Sequence, residues 1–300
     1  MVRLLSFGEV LWDVFPQHQT LGGAPLNVAC HFSRLGGDAF LASSLGMDSL
    51  GEEARKQIAL LAVDARFLLE DPQLPTGRAD ILLSEGIPSY EFNTPCAWDR
   101  ICYEKEMMNE LVKQQFDVFC FGTLAQRSLE NRNTLDSILK TMHFSNIFFD
   151  VNLRKSFFTK ETLQFGLTWC TILKMNNEEV PVLASLLGYD ADFEQDAIMQ
   201  KIGETYGIDL ILVTEGKKGL HCYRGRAILF QAPRPVVVVD TVGAGDSISA
   251  GFLYAYLHDM LLSDCLQFAV DLADYVISHQ GAIPEYEEWF AVSLLQRLKQ

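Results

Sequence analysis

Asp240-Thr241-Val242-Gly243-Ala244-Gly245-Asp246-Ser247 lies between a strand-like segment and a helix-like segment. Residues 235–239 (Pro-Val-Val-Val-Val) are β-branched and bounded by prolines, which predicts a short buried strand. Residues 248–257 are apolar almost all round, which predicts a buried helix. The octapeptide is therefore expected to be the turn of a strand–helix unit, the building block of an α/β fold.

The same turn carries a chemical signal. Gly243, Ala244 and Gly245 leave little side-chain bulk over the first helical turn, where free N–H groups and the helix dipole favour an anion. Asp246 places a carboxylate beside that anion site. Together they could hold a transferring phosphoryl group while the carboxylate takes a proton from a hydroxyl. The alternative is a glycine-rich turn in which Asp246 merely starts the helix, and the octapeptide alone does not separate the two.

Size and charge narrow the classes of function. A chain of 300 residues suits one large α/β domain or two modest ones. Its 24 Lys and Arg against 39 Asp and Glu give a net charge of −15, which disfavours nucleic acid and anionic membranes as partners. A small anionic ligand remains compatible with this charge, because a few local N–H groups and cations can hold it.

Cysteine and histidine usage argues against a zinc site. The seven cysteines are scattered without a Cys-x-x-Cys pair, which predicts a reduced, cytoplasmic protein. The six histidines show no ligand spacing and are expected at the surface or at helix caps. Strand-like residues 2–7 begin the chain, and no signal or transmembrane segment is visible.

Two polar signals follow this first strand. Asp13 stands in an apolar run, where a carboxylate is costly to bury unless it is paired or meets a ligand; an exposed turn position is the alternative. Gly22-Gly23-Ala24-Pro25-Leu26-Asn27 then opens a helix. The two glycines allow the backbone to approach a ligand closely, and Asn27 could direct its amide to the same place. Gly-Gly pairs are common in loops, so this signal is weak by itself.

Residues 77–84 and 88–93 alternate in polarity and are joined by 85–87, which predicts a β-hairpin. The hairpin interrupts the strand–helix alternation, so we expect it to leave the main sheet. We predict a small β-sheet lid, formed by about 10–20 and 77–99, inserted in a single α/β domain over 1–300. An exposed lid edge would also allow a homodimer through pairing with a second copy.

Elsewhere strand-like and helix-like segments alternate. Strands are expected at 40–45, 118–121, 147–149, 171–173 and 210–213. Helices are expected at 51–61, 104–113, 128–143, 160–167, 178–187 and 194–206. This order predicts an α/β fold with a doubly wound, mostly parallel sheet flanked by helices. Ligands of such sheets lie beyond the carboxyl ends of the strands.

Polar residues gather at those predicted strand ends. They are Asp150-Val151-Asn152-Leu153-Arg154, Lys174-Met175-Asn176-Asn177-Glu178-Glu179, Thr214-Glu215-Gly216-Lys217-Lys218-Gly219 and the opening octapeptide. Such residues are common in loops. Four strand ends that carry amides, carboxylates, cations and glycines nevertheless predict a site for a charged, oxygen-rich ligand with a metal.

These motifs together resemble the ribokinase-like, or PfkB, family of carbohydrate kinases, and within it the bacterial fructokinases. The N-terminal mark is the helix start from Gly22 to Asn27. The C-terminal mark is Asp240-Thr241-x-Gly243-Ala244-Gly245-Asp246-x-x-x-Ala250-Gly251, with the three other motifs between them in the family's order. Residues 86–92 and Ala97-Trp98-Asp99 are similar to the lid of fructokinases and its exit. The resemblance covers most of the chain and implies the ribokinase-like fold.

The resemblance also implies a role for each matching position. Asp246 would be the base that takes the proton of the sugar's primary hydroxyl, and Gly243, Ala244 and Gly245 would form the anion hole over the γ-phosphate of ATP. The residues implied at the sugar are Asp13, Gly23, Asn27 and Arg154. Those implied near the nucleotide are Lys174, Thr214, Gly216, Lys217, Gly219, Gly281 and Ala282. Asn176 and Glu179 match the motif that orders Mg²⁺ through water, and Asp240 and Val242 match a loop that in many relatives holds K⁺.

The function so implied is an ATP-dependent kinase for a primary hydroxyl of a sugar, with fructose favoured. A kinase for 2-keto-3-deoxygluconate, ribose, a nucleoside or aminoimidazole riboside stays open, as does a non-catalytic sugar-binding regulator. The chain has no Gly-x-x-x-x-Gly-Lys-Ser/Thr, which excludes a P-loop kinase, and no Gly-x-Gly-x-x-Gly after the first strand, which argues against a nicotinamide enzyme. Glu215 and the Asn176-Asn177 pair differ from the residues that are most common at these positions in the family. This difference bears on which nucleotide the site prefers.

Overall fold

A computed structural model of the chain describes residues 1–84, 87–189 and 194–299, and its strands form two sheets. In chain order the strands are β1 (Arg3–Phe7), β2 (Leu11–Val14), β3 (Gln19–Gly22), β4 (Asp38–Gly46), β5 (Leu68–Asp71), β6 (Gly77–Ser84), β7 (Ile87–Phe92), β8 (Val118–Gly122), β9 (Asn146–Asp150), β10 (Ile172–Asn176), β11 (Leu210–Thr214), β12 (Leu220–Arg224) and β13 (Ala227–Gln231).

The larger sheet has the strand order β13-β12-β11-β10-β9-β8-β1-β4-β5. Every neighbouring pair from β11 to β5 is parallel, whereas β12 and β13 add an antiparallel edge. The carboxyl ends of the parallel strands therefore share one edge of the sheet, which is where ligands of such folds bind. The predicted strands at 40–45, 118–121, 147–149 and 210–213 fall in β4, β8, β9 and β11, and the strand predicted at 171–173 overlaps β10, which begins at Ile172.

Helices pack on both faces of this sheet. They are α1 (Ala24–Arg34), α2 (Ser49–Ile58), α3 (Lys105–Val112), α4 (Leu129–Thr141), α5 (Lys160–Trp169), α6 (Glu179–Leu187), α7 (Gln195–Tyr206), α8 (Ala244–Tyr256), α9 (Leu262–Ile277) and α10 (Glu288–Gln296). Successive strand residues belong to different cores: Phe148 packs with α1, α8 and α9, and Phe149 with α4 to α7. Strand residues alternate between the faces, so the predicted doubly wound α/β fold is confirmed.

The smaller sheet has the order β3-β2-β6-β7. β6 and β7 form the predicted antiparallel hairpin, although its turn at 85–86 lies outside the described residues. β2, from the segment after the first strand, runs parallel to β6. β2, β3 and the hairpin thus form one small sheet, which confirms that a small sheet accompanies the main one.

The prediction of a buried strand at 235–239 is wrong. The segment forms no strand, and Val237 and Val239 are 82% and 59% exposed. Prolines at 233 and 235 carry no N–H for a sheet ladder. The segment instead crosses the surface and is tied to α9, where Ile277 O accepts the N–H groups of Val239 and Asp240.

No helix of the described residues is long and apolar enough to cross a membrane.

Candidate active site

Two glycine-led helix starts meet beyond the carboxyl end of the main sheet. α1 follows Gly23, which has a φ of +114°, and α8 follows Gly243, which has a φ of +80°. Both angles lie in the region that favours glycine. Asn27 and Asp246 are 219 positions apart in the chain. Nevertheless, Asn27 Nδ2 of α1 donates a hydrogen bond of 2.7 Å to Asp246 Oδ2 of α8. Two motifs from opposite ends of the sequence therefore form one site.

The start of α8 leaves room for little beyond backbone. A Cβ at Gly243 would lie 2.7 Å from Ala282 Cα, and a Cβ at Gly245 would lie 3.1 Å from Lys174 Nζ. The first N–H groups of a helix lack partners within the helix. The N–H of Ala244 donates to Thr241 O at 3.3 Å. Because Gly243 and Gly245 have no Cβ to cover this turn, an anion can approach its backbone closely.

Asp246 lies in the first turn of α8, beside these N–H groups. Burial raises the pKa of Asp246 to about 6. The positive charge of Lys174 and the hydrogen bond from Asn27 lower this pKa, and the negative charge of Asp150 raises it. At neutral pH the side chain is therefore mainly a carboxylate, yet it holds a proton better than an exposed aspartate does. Both properties suit a general base.

Two more carboxyl groups share the electrostatic surroundings of Asp246. Burial raises the pKa of Asp13 on β2 to about 6 and that of Glu9, directly after β1, to about 7. In both cases the charge of Arg154 lowers the pKa and the charge of Asp246 raises it. Asp13 also stands close to Gly22, because a Cβ there would lie 2.9 Å from Asp13 Oδ2. The sequence analysis missed Glu9, although its place just after the first parallel strand was a signal.

Lys174, predicted near the nucleotide, lies in β10 beside the start of α8. Its side chain is buried and its Nζ lies 2.7 Å from Asp150 Oδ2, beneath the start of α8. Asp150 is its neighbour in β9, in register across the parallel ladder. The contact with Asp150 uses one of the three donors of the ammonium, and the nucleotide role implied for Lys174 stays a prediction.

Asn176 and Glu179 form a capping box at the start of α6. Asn176 Oδ1 accepts the N–H of Glu179 at 2.9 Å, and Glu179 Oε2 accepts the N–H of Asn176 at 2.9 Å. Glu179 Oε1 also accepts the N–H of Leu153 at 2.7 Å. Burial and the charge of Asp150 raise the pKa of Glu179.

These contacts fit a hydrated magnesium ion better than a directly bound one. Each Glu179 oxygen accepts one N–H and keeps a lone pair for water, and a nearby cation would favour the ionised carboxylate. In the described ranges, no group of three or more His, Cys, Asp or Glu side chains is arranged to hold a metal.

Besides Lys174, the residues predicted for the nucleotide come from the end of β11 with the loop after it and from the C-terminal segment. Thr214 ends β11 beside Asn176 of β10, and Gly216 and Gly219 follow with φ of +53° and +127° around the exposed Lys217. Glu215 does not add a free carboxylate there. Its Oε1 accepts a hydrogen bond from Gln195 Nε2 at 3.0 Å and lies 3.1 Å from His221 Nδ1.

Gly281 and Ala282 meet the octapeptide. Asp240 accepts the N–H groups of Val242 and Gly281, both at 3.0 Å, so its carboxylate joins the predicted potassium loop to the C-terminal segment. Ala282 packs against Gly243, as the Cβ distance above shows. The residues predicted for the anion hole, the adenine pocket and potassium thus lie together.

His31 corrects the expectation that the histidines lie at the surface or at helix caps. It is fully buried, and burial lowers its pKa to about 4, so the ring is neutral. Its Nε2 lies 2.9 Å from Ala282 O and its Nδ1 2.5 Å from Tyr286 Oη. A carbonyl can only accept, so Nε2 carries the proton and α1 holds the C-terminal segment against α8.

Known proteins match the chain along nearly its whole length. The model of the pfkB family carbohydrate kinases matches residues 2–289. The chain is 29% identical over 285 residues to a fructokinase of Klebsiella pneumoniae, which covers 90% of each protein. It is 26% identical over 320 residues to probable fructokinase-7 of Arabidopsis thaliana, which covers 96% of this chain and 91% of the relative.

The fold agrees with these matches. The crystal structure of a fructokinase with bound ATP from Xylella fastidiosa superposes with a TM-score of 0.83 at 23% identity, over 99% of each chain. At that identity the superposition shows the fold alone. Since the family's pattern runs from residue 2 to residue 289, through both glycine-led helix starts, the chain belongs to the pfkB family of carbohydrate kinases.

Proposed function

We propose that the protein transfers the γ-phosphate of ATP to a primary hydroxyl of a sugar, most favourably fructose. The observation that carries the proposal is the contact between Asn27 and Asp246. It joins α1, which follows Gly23, to the carboxylate at the glycine-led start of α8, and Asp13 on β2 is close enough for the charge of Asp246 to affect its pKa. A base, an anion site and groups that bind hydroxyls are the parts that phosphoryl transfer to an alcohol needs.

In this proposal Asp246 takes the proton of the sugar hydroxyl, which attacks the γ-phosphorus as the bond to the β-phosphate oxygen breaks. The N–H groups from Gly243 to Gly245 receive the negative charge of the transferring group. Asp13, Gly23 and Asn27 bind the other sugar hydroxyls, and Arg154 balances the carboxylates around them. ADP and a sugar phosphate leave as products.

The nucleotide would lie along the neighbouring strand ends. We assign to it Lys174, Thr214, Gly216, Lys217, Gly219, Gly281 and Ala282. Asn176 and Glu179 would hold a hydrated Mg²⁺ ion, whose chemistry is to neutralise charge on the phosphates. Carbonyl oxygens of the Asp240–Val242 loop are of the type that K⁺ binds, and we assign that loop to a potassium ion.

The charges of the site favour a neutral sugar. Glu9, Asp13 and Asp246 surround the region with carboxyl groups, and Arg154 is the cation that opposes all three. A substrate that carries its own carboxylate, such as 2-keto-3-deoxygluconate, would meet like charge there. Fructose has hydroxyl groups, and carboxylates accept hydrogen bonds from hydroxyl groups well. Ribose, nucleosides and aminoimidazole riboside are also neutral and remain the alternatives.

We further propose one catalytic domain over 1–300, with the small sheet and its exit, about 10–20 and 77–99, as a lid over the sugar. A lid would exclude water and thereby ATP hydrolysis. β3 and β7 are the edges of the small sheet, so a second copy of the chain could pair there to form a dimer.

The test is a coupled assay of ADP release with fructose, glucose, ribose, 2-keto-3-deoxygluconate and nucleosides. We expect the highest kcat/KM with fructose, and the Asp246→Asn variant as the inactive control. ADP release with a nucleoside well above that with fructose would redirect the assignment within the family. ATP and sugar binding without any turnover would favour the non-catalytic regulator.

A further inference from the structure

The segment between α9 and α10 carries two residues of the proposed nucleotide site, Gly281 and Ala282. Residues 278–287 form turns and irregular chain, with no helix or strand of their own. Backbone groups outside regular structure find their partners in other chain segments, side chains or water. The shape of this segment therefore depends on the residues that contact it.

His31 of α1 fixes the segment at two points. Its Nε2–H donates to Ala282 O at 2.9 Å, and its Nδ1 accepts a hydrogen bond from Tyr286 Oη at 2.5 Å. The ring is fully buried, as are its chain neighbours Cys30 and Phe32. An apolar side chain would avoid the cost of burying a polar ring. The imidazole at this position is therefore used for its two hydrogen bonds rather than for packing.

The same face of α1 reaches the proposed sugar site. Asn27 and His31 are four residues apart, and residues at that spacing lie one above the other on a helix. Asn27 contacts Asp246 in the first turn of α8. His31 contacts Ala282, which packs against Gly243 at the start of the same helix. One turn of α1 thus connects a residue assigned to the sugar with a residue assigned to the nucleotide.

We propose that His31 couples the two substrate sites: a sugar bound to Asn27 fixes this turn of α1, and the hydrogen bond from His31 to Ala282 O extends the ordering to the nucleotide site. His31 is then a positioning residue, because it acts through Ala282. The inference rests on the proposed function, which supplies the roles of Asn27 and Ala282. A first ligand that orders a shared element lowers the entropy cost for the second, so each ligand raises the affinity for the other.

Arg34 attaches the same segment to α1 independently of His31. Its Nη1 donates to Ile283 O at 3.0 Å, and its Cζ lies 5.6 Å from the centre of the Tyr286 ring. These contacts should keep the segment on α1 when a single hydrogen bond of His31 is removed. Variants at His31 are therefore expected to fold and to report on coupling.

Two substitutions each remove one hydrogen bond of His31. Glutamine carries an N–H at the reach of Nε2 and can keep the contact with Ala282 O, whereas asparagine reaches only as far as Nδ1 and can keep the contact with Tyr286. Both variants should have a lower melting temperature. In calorimetry with sugar present, His31→Asn should bind ADP about tenfold more weakly than wild type, near the upper limit for one neutral hydrogen bond. His31→Gln should bind ADP with nearly wild-type affinity.

The coupling itself is the ratio of the ADP dissociation constants without and with sugar. The sugar is fructose, or the one that the wild type turns over best. Couplings between sites are typically about 5–150-fold, and we expect a ratio in this range for wild type and for His31→Gln. The ratio for His31→Asn should fall below about 2, and sugar titrations without and with ADP should give the same ratios. Equal ratios in the two variants would make His31 a structural residue and overturn the inference.

The outcomes separate this inference from the proposed function. Wild-type turnover together with equal ratios in the two variants would refute the coupling and leave the function standing. A wild type that binds ADP but no sugar would refute the function. ADP affinity alone then tests His31, because His31→Asn should still bind ADP more weakly than His31→Gln.

Two further measurements cover a variant that does not fold. Tyr286→Phe can replace His31→Gln, because it also removes the Tyr286 hydrogen bond and keeps the contact with Ala282. If His31→Asn does not fold, amide hydrogen exchange of the wild type decides. Sugar should slow exchange across residues 281–287, and unchanged exchange there would overturn the inference.

Discussion

Replacing Asp246 with asparagine should separate catalysis from stability. A positioned general base contributes about 10²–10⁴-fold to the rate, so Asp246→Asn should lower kcat by that factor. The contact with α1 should survive, because the amide oxygen of asparagine can accept the 2.7 Å hydrogen bond from Asn27 Nδ2. Binding of ATP and sugar should persist, since the proposed anion hole is main chain and Asp13 lies on β2.

Stability should stay the same or rise. Burial raises the pKa of Asp246 from 3.8 to about 6, and each pKa unit corresponds to about 1.4 kcal/mol. At pH 7 the ionised carboxylate therefore costs the folded protein up to about 3 kcal/mol, which a neutral amide avoids. The folded pKa lies above the unfolded pKa, so this cost is present above about pH 6 and is relieved as the pH falls towards 4.

The assay combines kcat at pH 7 with chemical denaturation at pH 7 and pH 4. Asp136→Asn serves as control, because Asp136 is a surface residue of α4 paired with the exposed Lys140. We expect the stability gain of Asp246→Asn to be larger at pH 7 than at pH 4, and no such trend for the control. Turnover within a few-fold of wild type would refute Asp246 as the base. A loss of stability at pH 7 would refute the electrostatic reasoning.

Four further results are expected. Asp13→Ala should remove a charge-assisted hydrogen bond to the sugar, on the order of 1.5–3 kcal/mol, and raise the sugar KM with ATP affinity near normal; an unchanged sugar KM would make Asp13 a structural residue. Amide hydrogen exchange across β6 and β7 should slow when sugar binds, and unchanged protection would argue against a closing lid. Chelation by EDTA should abolish turnover, and Glu179→Gln should raise the magnesium concentration for half-maximal rate by about 10–100-fold; an unaltered magnesium titration would leave Glu179 as a helix cap alone.

Local patterns in the sequence determined much of the architecture. The alternation of strand and helix periods predicted β4, β8 to β11 and the helices between them, because those periods follow from backbone geometry. The hairpin of β6 and β7 was predicted from its alternating polarity. Glycines at 23 and 243 marked the two helix starts, and both adopt the positive φ that explains a glycine there. Each of these signals is contained within a few neighbouring residues.

Tertiary structure alone decided which way the charged side chains of the site point. Lys174 and Glu215 both follow the predicted pattern of polar strand ends, yet one is buried against Asp150 and the other turns to Gln195. The exposed path of 235–239 and the burial of His31 were likewise beyond the sequence analysis. A side chain's partner is set by which strands and helices become neighbours, and those neighbours come from distant parts of the chain. Periodicity can place a residue at a strand end, but it carries no information about the element that will pack against it.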